Sequence, residues 1–251
     1  MVNSLIGYTG FVGSNLMKKN EFSNLYNRDN ISTLKDIEHD TIICAAPSAV
    51  KWWANKNPKE DLKIVTDLMQ DLISVKTKHF ILISTIDVYS STAGVDENFN
   101  PEPKHPYGLH RYMLEKFVQG TFENYLIIRL PGLFGTGLKK NVIYDLIHNN
   151  SVENINTKNI FQWYNIERLS DDIKIAIKNN LKIVNLFTEP IETTEICNFF
   201  NYNFQDSKNQ ISYNGLTKYG KHFNSKSDWI QSKSEVLEEI KKFIDNEKIN
   251  L

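Results

Sequence analysis

The sequence predicts an α/β fold in which helices cover both faces of a doubly wound parallel sheet, with a small C-terminal lobe. Short apolar segments with the length of buried strands alternate with segments of helical periodicity. The first apolar segment leads into a glycine-rich turn and a helix, and a later one, 79–85, ends in two hydroxyl residues. The 251 residues suffice for one large domain with a small lobe. We expect a core over residues 1–135 and a substrate-binding part over 136–251, interleaved with the last core strands and helices.

The composition is that of an ordinary globular protein, with 41% hydrophobic and 24% charged residues. A net charge of -1 provides no basic field for nucleic acid or an anionic membrane. No apolar run approaches the ~20 residues that span a bilayer, and the N-terminus lacks the pattern of a signal peptide. We therefore expect a cytoplasmic protein without a nucleic-acid or membrane partner.

The cysteines and histidines predict neither a disulfide nor a metal site. The two cysteines, Cys44 and Cys197, each lie inside an apolar run and are expected to be small core residues in a reducing compartment. The six histidines show no ligand spacing such as His-Glu-x-x-His.

A glycine motif follows the first predicted strand, which ends at Ile6. The motif Gly-x-x-Gly-x-x-Gly between a strand and a helix is typical of a site for the pyrophosphate of a dinucleotide, although it also fits a plain strand-to-helix turn. Glycines let the backbone approach the phosphates, and the helix N-terminus supplies N–H donors. The predicted contacts are Gly7, Thr9, Gly10, Phe11, Val12 and Gly13.

The end of the second predicted strand, Asn24–Tyr26, bears on the choice of dinucleotide. An acid there binds the ribose hydroxyls of NAD, whereas an arginine accepts the 2′-phosphate of NADP. Asn27 and Arg28 follow the strand, and Asp29 is adjacent. We expect NADP or NAD, with NADP slightly favoured.

The third strand is predicted to end near Ala45 and Ala46, whose small side chains would let the cofactor lie close to the backbone. A cation and two tryptophans follow at 51–53 and predict either a substrate wall or a packed helix entry. Asn57 and Pro58 then open an amphipathic helix whose apolar stripe is core packing.

Tyr107 and Arg111 lie four residues apart in a predicted helix that starts after Pro106, so they share one face. A fixed guanidinium favours the phenolate and lowers the pKa of a nearby tyrosine. The pair could therefore donate and accept a proton at neutral pH. The alternative is a half-buried aromatic ring beside a solvated surface charge. A buried strand that ends at Thr85 and a long loop over 90–106 precede the pair.

The glycine motif, a Ser-Thr-x-x-Val-Tyr segment and Tyr-x-x-x-cation, in that order, resemble the extended short-chain dehydrogenase/reductase superfamily of nucleotide-sugar epimerases, dehydratases and reductases. The segment Arg129 to Gly135 and later strands resemble the family as well. The resemblance implies that Thr85 binds the reacting sugar oxygen, that Tyr107 is the acid/base and that Arg111 replaces the family lysine at the nicotinamide ribose. It also implies a cofactor contact at Pro131 and substrate contacts at Ser48, Lys51, Asp87, Asn141 and Gln162.

Two departures from the family pattern refine the expected reaction. Arginine keeps the charge of the lysine but does not readily give up a proton, which argues against a proton relay through Arg111. The family dehydratases carry Thr-Asp-Glu where this chain has Thr85, Ile86 and Asp87, and Ile86 cannot protonate a leaving hydroxyl. Asp87 is expected to orient substrate or act as a base, or else to cap the following turn.

The resulting expectation is an NAD(P)-dependent oxidoreductase that acts on a keto or hydroxyl carbon of a nucleotide-linked sugar in surface polysaccharide synthesis and that can form a homodimer. The alternatives are an epimerase with tightly bound cofactor and a non-catalytic dinucleotide sensor. Further elements are predicted at 142–148 (helix), 184–186 (strand) and from Ser234 (a capped helix).

Overall fold

The computed structural model describes residues 2–202, 204 and 210–249 and has an α/β architecture. Ten short and medium strands are present in the described part of the chain: β1 Asn3–Ile6, β2 Asn24–Tyr26, β3 Glu38–Cys44, β4 Lys76–Thr85, β5 Tyr125–Leu130, β6 Gly132–Phe134, β7 Ile160–Phe161, β8 Trp163–Asn165, β9 Ile183–Asn185 and β10 Ile191–Glu192. Its α-helices are α1 Phe11–Lys19, α2 Lys51–Lys56, α3 Pro58–Leu72, α4 Pro106–Thr121, α5 Val142–His148, α6 Leu169–Lys178, α7 Thr193–Cys197 and α8 Lys233–Ile249.

The central sheet has six strands in the order β2-β1-β3-β4-β5-β9. Strands β1 to β5 pair in parallel with their neighbours. Because β2 and β3 lie on opposite sides of β1, the strand order reverses beside β1, and ligands bind at the carboxyl ends of strands at such a point. This confirms the predicted doubly wound Rossmann-type sheet.

The core of the sheet follows from the apolar runs in the sequence. Ile42 and Cys44 of β3 and Phe80 of β4 are completely buried, as expected for strands covered on both faces. Helix α3 begins at Pro58, as predicted, and packs Val65 and Leu72 into the same core cluster. Proline is tolerated at this position because the first helical N–H has no intrahelical acceptor.

The contact pattern divides the chain into two compact units. Unit 1 comprises residues 1–90, 99–130 and 170–184 and contains the central sheet. Unit 2 comprises residues 91–98, 131–169 and 185–251 and contains the pairs β6–β8 and β7–β10. The boundary at residue 135 that the sequence suggests stays a prediction.

Within unit 2, the segment 91–98 is held by the partly buried acid Glu97. The carboxylate of Glu97 accepts hydrogen bonds from the Asn185 amide at 2.7 Å, the Thr217 hydroxyl at 2.7 Å and the Lys218 amide at 3.0 Å. Burial raises the pKa of Glu97, and these hydrogen bonds oppose that effect. Glu97 therefore ties three distant parts of the chain together within this unit.

The cap of the helix in the C-terminal region lies two residues before the predicted one. The Ser232 hydroxyl accepts from the Glu235 amide at 3.4 Å, and the Ser232 amide donates to the Glu235 carboxylate at 2.8 Å. This reciprocal pair is a capping box, so Ser232 is the cap of α8 and the prediction of Ser234 was wrong. The acid three residues after Ser232 was the decisive signal.

The two cysteines lie as expected. Cys44 and Cys197 are buried and not disulfide-bonded, and burial raises their thiol pKa values to about 12 and about 11. Across residues 2–202, 204 and 210–249, no cluster of three or more His, Cys, Asp or Glu side chains could hold a metal ion. Over the same residues, no helix combines the length and apolarity needed to cross a membrane.

A buried ion pair fixes α4 to the sheet. Glu115 of α4 is completely buried and binds Arg129 of β5, with Nη2 to Oε2 at 2.7 Å and Nε to Oε1 at 3.0 Å. The Ser84 hydroxyl donates to the same carboxylate at 2.5 Å, and Arg129 donates to the Tyr89 hydroxyl at 2.6 Å. One carboxylate thus joins α4, β4 and β5.

We expect Glu115→Gln to lower the free energy of unfolding by about 3–5 kcal/mol, because Arg129 would remain buried without a counter-charge. Chemical denaturation would measure the change. Glu238→Gln is the control: it breaks an exposed pair with Lys242 on α8, at 2.6 Å, and should change stability little. Equal effects of the two variants would contradict the role given to Glu115.

Candidate active site

The carboxyl end of β4 and the start of α4 place the predicted catalytic side chains together. Thr85 ends β4, and its hydroxyl caps the short turn 86–88 by accepting from the Asp87 amide at 3.1 Å. His105 caps α4 in the same manner, with Nδ1 accepting from the Gly108 amide at 3.1 Å. These two capping hydrogen bonds fix the backbone after Thr85 and at the start of α4, where the predicted catalytic side chains lie.

Tyr107 lies between Thr85 and Arg111 in unit 1. The Thr85 hydroxyl hydrogen-bonds to the phenol, and the Arg111 guanidinium carbon is 4.4 Å from the centre of the ring. The Tyr107 amide donates to Asn55 of α2 at 3.0 Å. Tyr107 and Arg111 are each 5% exposed. The structure thus brings the three predicted catalytic residues together and excludes a solvated surface charge at Arg111.

The pKa of Tyr107 is raised to about 12, which differs from the expected activation at neutral pH. Burial is the largest cause, and the charges of Asp87 and Asp61 act in the same direction. Arg111 and the Thr85 hydrogen bond lower the pKa, so the predicted effect of the cation is present but is outweighed. The phenol is therefore protonated at neutral pH in this structure.

Arg111 is held by an acid that the sequence reading missed. Its Nη1 donates to Asp61 of α3 at 2.6 Å, and its Nη2 donates to the Ser48 carbonyl at 2.7 Å. His110 Nδ1 lies 2.7 Å from the same Asp61 oxygen. The signal was an acid in the apolar stripe of α3, one turn before Val65.

Asp87 lies beside Thr85 and faces two basic side chains. Its Oδ1 accepts from Lys51 at 2.6 Å and lies 4.0 Å from His105 Nε2. The Thr85 hydroxyl is 3.5 Å from Oδ2. Thr85, not Asp87, caps the turn, so that structural alternative for the Asp87 side chain does not hold. Burial, followed by the charge of Lys51, lowers the pKa of His105 and favours its neutral form.

The neighbouring helix α2 contains both tryptophans of the 51–53 segment. Trp52 is 66% exposed, whereas Trp53 is partly buried. Ser48, before this helix, is exposed and uses its carbonyl to hold Arg111. The Lys51 side chain is engaged by Asp87, and its contact with a substrate stays a prediction.

The turn between β1 and α1 fits a pyrophosphate. Gly7 has a φ of +82°, which side chains rarely adopt, and a Cβ on Gly13 would lie 2.2 Å from the Gly7 carbonyl oxygen. Helix α1 starts without a side-chain cap or an acid in its first turn. Its first N–H groups lack intrahelical acceptors and favour an anion. Ala45 donates its amide to Ile6 at 2.9 Å, which brings β3 beside this turn.

The other predicted cofactor contacts have defined positions. Asn27 and Arg28 directly follow β2, where an adenosine ribose is expected. The Asn27 side chain accepts from the Asp29 amide at 2.8 Å, and Arg28 is exposed. Ala46 follows β3 and Pro131 follows β5; Ala46 is partly buried and Pro131 is buried. Their contacts with a dinucleotide stay predictions.

Two predicted substrate residues lie in unit 2 and have structural roles there. The Asn141 side chain caps α5, accepting from the Ile143 amide at 3.0 Å, and donates to the Leu133 carbonyl at 2.8 Å. The Gln162 amide binds the Thr188 carbonyl at 2.6 Å and both backbone groups of Gly215 at 2.8 Å. These hydrogen bonds account for both side chains, so the geometry does not support the predicted sugar contacts.

Residues 19–165 match the model of the NAD dependent epimerase/dehydratase family. The chain belongs to this family. The match includes Thr85, Tyr107 and Arg111 and begins after the glycine turn. Membership confirms the predicted family and, with it, the prediction of an enzyme that uses a nicotinamide dinucleotide. No curated protein sequence shows detectable similarity to the chain.

Solved structures with a similar fold include nucleotide-sugar epimerases and reductases. A UDP-glucose 4-epimerase from Thermotoga maritima is 14% identical with a TM-score of 0.76, and the match covers 98% of both chains. A dTDP-4-dehydrorhamnose reductase from Bacillus anthracis in complex with NADP is 17% identical, with a TM-score of 0.76 and coverage of 98% of this chain and 99% of that one. A mutant UDP-glucuronic acid 4-epimerase from Bacillus cereus in complex with NAD is 16% identical, with a TM-score of 0.73 and the same coverage. These likenesses support the fold.

We expect Gly13→Ala to weaken dinucleotide binding at least about tenfold, because an added Cβ cannot coexist with the Gly7 carbonyl in the present turn. Isothermal titration with NADPH and NADH would measure the affinity. Gly120→Ala on α4 is the matched control, since a Cβ there meets nothing within 4 Å. Unchanged affinity in a folded Gly13→Ala protein would contradict the assignment of the turn.

Proposed function

We propose that the protein is an NAD(P)-dependent oxidoreductase that acts on a keto or hydroxyl carbon of a nucleotide-linked sugar. The observation that carries this proposal is the convergence of Thr85, Tyr107 and Arg111 at the carboxyl end of β4. Two hydroxyl groups that lie within hydrogen-bonding distance of each other can both donate to one substrate oxygen. Family membership and the nucleotide-sugar ligands of the similar solved structures support the substrate class.

The chain's own residues would supply orientation and a proton. The Thr85 hydroxyl and the Tyr107 phenol would donate hydrogen bonds to the substrate carbonyl, and Tyr107 would deliver its proton as the oxygen gains negative charge. The Gly7–Gly13 turn, with Ala45 and Arg111, would hold the dinucleotide. When bound, the nicotinamide supplies or accepts the hydride.

The raised pKa of Tyr107 favours the direction of reduction. A keto-sugar reductase needs a phenol that is protonated at the start, whereas oxidation of a hydroxyl needs a phenolate that takes a proton. Burial, which is the largest cause of the raised pKa, stabilises the protonated form. We therefore place reduction ahead of oxidation as the principal activity.

Sugar dehydration is not part of the proposal. Ile86 is 5% exposed and apolar, so the position of the family's leaving-group acid offers no proton. Asp87, paired with Lys51 at 2.6 Å, would instead accept a hydrogen bond from a sugar hydroxyl next to the reacting carbon. A role in surface polysaccharide synthesis, a cytoplasmic location and a homodimer are further predictions that belong to this proposal.

A nucleotide-sugar epimerase with tightly held cofactor is the second candidate. It uses the same hydroxyl pair, and solved epimerase structures share the fold of this chain. The two activities differ in net cofactor consumption: a reductase consumes NADPH or NADH with each turnover, and an epimerase does not. A non-catalytic dinucleotide sensor is the third alternative, and it predicts binding without any hydride exchange.

We expect Tyr107→Phe to reduce turnover of a keto-sugar by about 10² or more, since the proton donor is lost, while dinucleotide affinity is kept. Steady-state kinetics and cofactor titration would separate the two effects. Tyr112→Phe on the same helix is the control, because its ring contacts the exposed Lys116 side chain. Equal turnover in Tyr107→Phe and the parent would end the assigned role.

We expect Arg28→Ala to raise the KM for NADPH about tenfold or more and to change the KM for NADH little. The 2′-phosphate would lose a charge-assisted hydrogen bond that NADH does not make. Lys35→Ala, which removes another exposed cation in the turn after β2, controls for the general field. A parallel change for both cofactors would argue against NADP selection by Arg28.

A further inference from the structure

Asp61 is a buried acid on the apolar face of α3. It is 2% exposed and lies on the same buried helix face as Val65, Leu68 and Leu72. A carboxylate in such a position costs free energy unless it is well bonded. A hydrophobic residue would serve packing alone, so the acid calls for a polar role.

The contacts of Asp61 are directed at the helix that carries Tyr107. Its Oδ2 accepts from Arg111 Nη1 at 2.6 Å and from His110 Nδ1 at 2.7 Å. The other end of the guanidinium donates to the Ser48 carbonyl at 2.7 Å. The guanidinium group is thus held through both Nη atoms, and its carbon lies 4.4 Å from the centre of the Tyr107 ring. Asp61 thereby determines where this cation lies relative to the phenol.

We propose that Asp61 is a positioning residue for the proton-transfer step: with the Ser48 carbonyl it fixes the Arg111 guanidinium over Tyr107 and offsets part of the charge of that cation at the ring. The catalytic part of this statement rests on the proposed function. The electrostatic part rests on the geometry of the Asp61–Arg111–Tyr107 cluster alone.

The charged groups around the phenol give the expected direction. Besides burial, which is the largest effect, Asp87 and Asp61 raise the pKa of Tyr107, while Arg111 and the Thr85 hydroxyl lower it. His105, stacked on Tyr107 at 6.3 Å, and Lys51, paired with Asp87, also lie in this cluster. An ion pair acts on the phenol more weakly than a lone cation does. Removing the charge of Asp61 therefore leaves Arg111 free to acidify Tyr107.

The test is the titration of Tyr107 in Asp61→Asn, which keeps the shape and an acceptor oxygen but removes the charge. NMR of ring-labelled tyrosine in the full-length protein would follow the phenol, with its signal assigned from the spectrum of Tyr107→Phe. We expect the titration to move to lower pH by about one unit or more. Asp67→Asn, on the same helix and paired with exposed Lys63, should leave it unchanged.

The same variant should change the pH profile of turnover. A reaction that needs the protonated phenol slows as pH rises through the pKa of that phenol. In Asp61→Asn this decline should begin at lower pH than in the parent, by the amount that the titration moves. A structural role alone would reduce activity at every pH and leave the titration in place, which would overturn the proposal.

The titration needs no substrate, so it separates this inference from the proposed function. A shifted phenol in a protein that reduces no keto-sugar would leave the positioning role intact and remove the proposed function. An unshifted phenol in an active enzyme would do the reverse.

If Asp61→Asn fails to fold, Arg111→Lys provides a second test with Asp61 intact. An ammonium can follow Asp61 away from the ring, since it lacks the planar fork that reaches both Asp61 and the Ser48 carbonyl. We then expect Tyr107 to titrate at higher pH than in the parent. An unchanged titration would refute the claim that the held guanidinium acts on the phenol.

Discussion

The fixed packing position of α4 against the carboxyl half of β4 is the constraint on which the candidate site depends. Two buried carboxylates fix this helix at different heights: Glu115 binds Arg129 and Ser84 near its middle, and Asp61 binds Arg111 near its start. Buried charges tolerate little displacement, because each loses its compensation when its partner moves. A slip of the helix would break both networks at once, and the position of Tyr107 beside Thr85 follows from this.

The same burial that fixes the helix also determines the acid/base character of the site. A phenol in a dry, packed position keeps its proton more firmly than one in water, and the nearby cation offsets only part of that effect. Motif spacing suggested the opposite balance, because spacing reveals the cation but not the depth of burial or the acid behind it. The structure therefore favours the protonated phenol, which fits the proposed proton donor better than a group poised to donate and accept at neutral pH.

Sequence patterns anticipated the features that depend on neighbouring residues. The glycine turn, the strand ends at Tyr26 and Thr85, and the helix starts at Pro58 and Pro106 all follow from local backbone chemistry. Contacts between distant segments were beyond that reach: Asp61 and Arg111 are separated by 50 positions, and the partners of Glu97 lie still further along the chain. Asn141 and Gln162 were predicted as substrate contacts from the family resemblance. In the structure, their side-chain amides form hydrogen bonds with neighbouring backbone groups.

Each cation near the phenol is matched by an acid of its own. Arg111 pairs with Asp61 from α3, and Lys51 pairs with Asp87 from the turn after β4, so the surroundings of Tyr107 carry two compensated pairs. Paired charges partly cancel at the ring, so the charge of a group that binds beside it adds to a small net field. A positively charged oxidised nicotinamide would favour the phenolate, and a neutral reduced one would not. Under the proposed function, the redox state of a bound nicotinamide would therefore change the proton affinity of Tyr107.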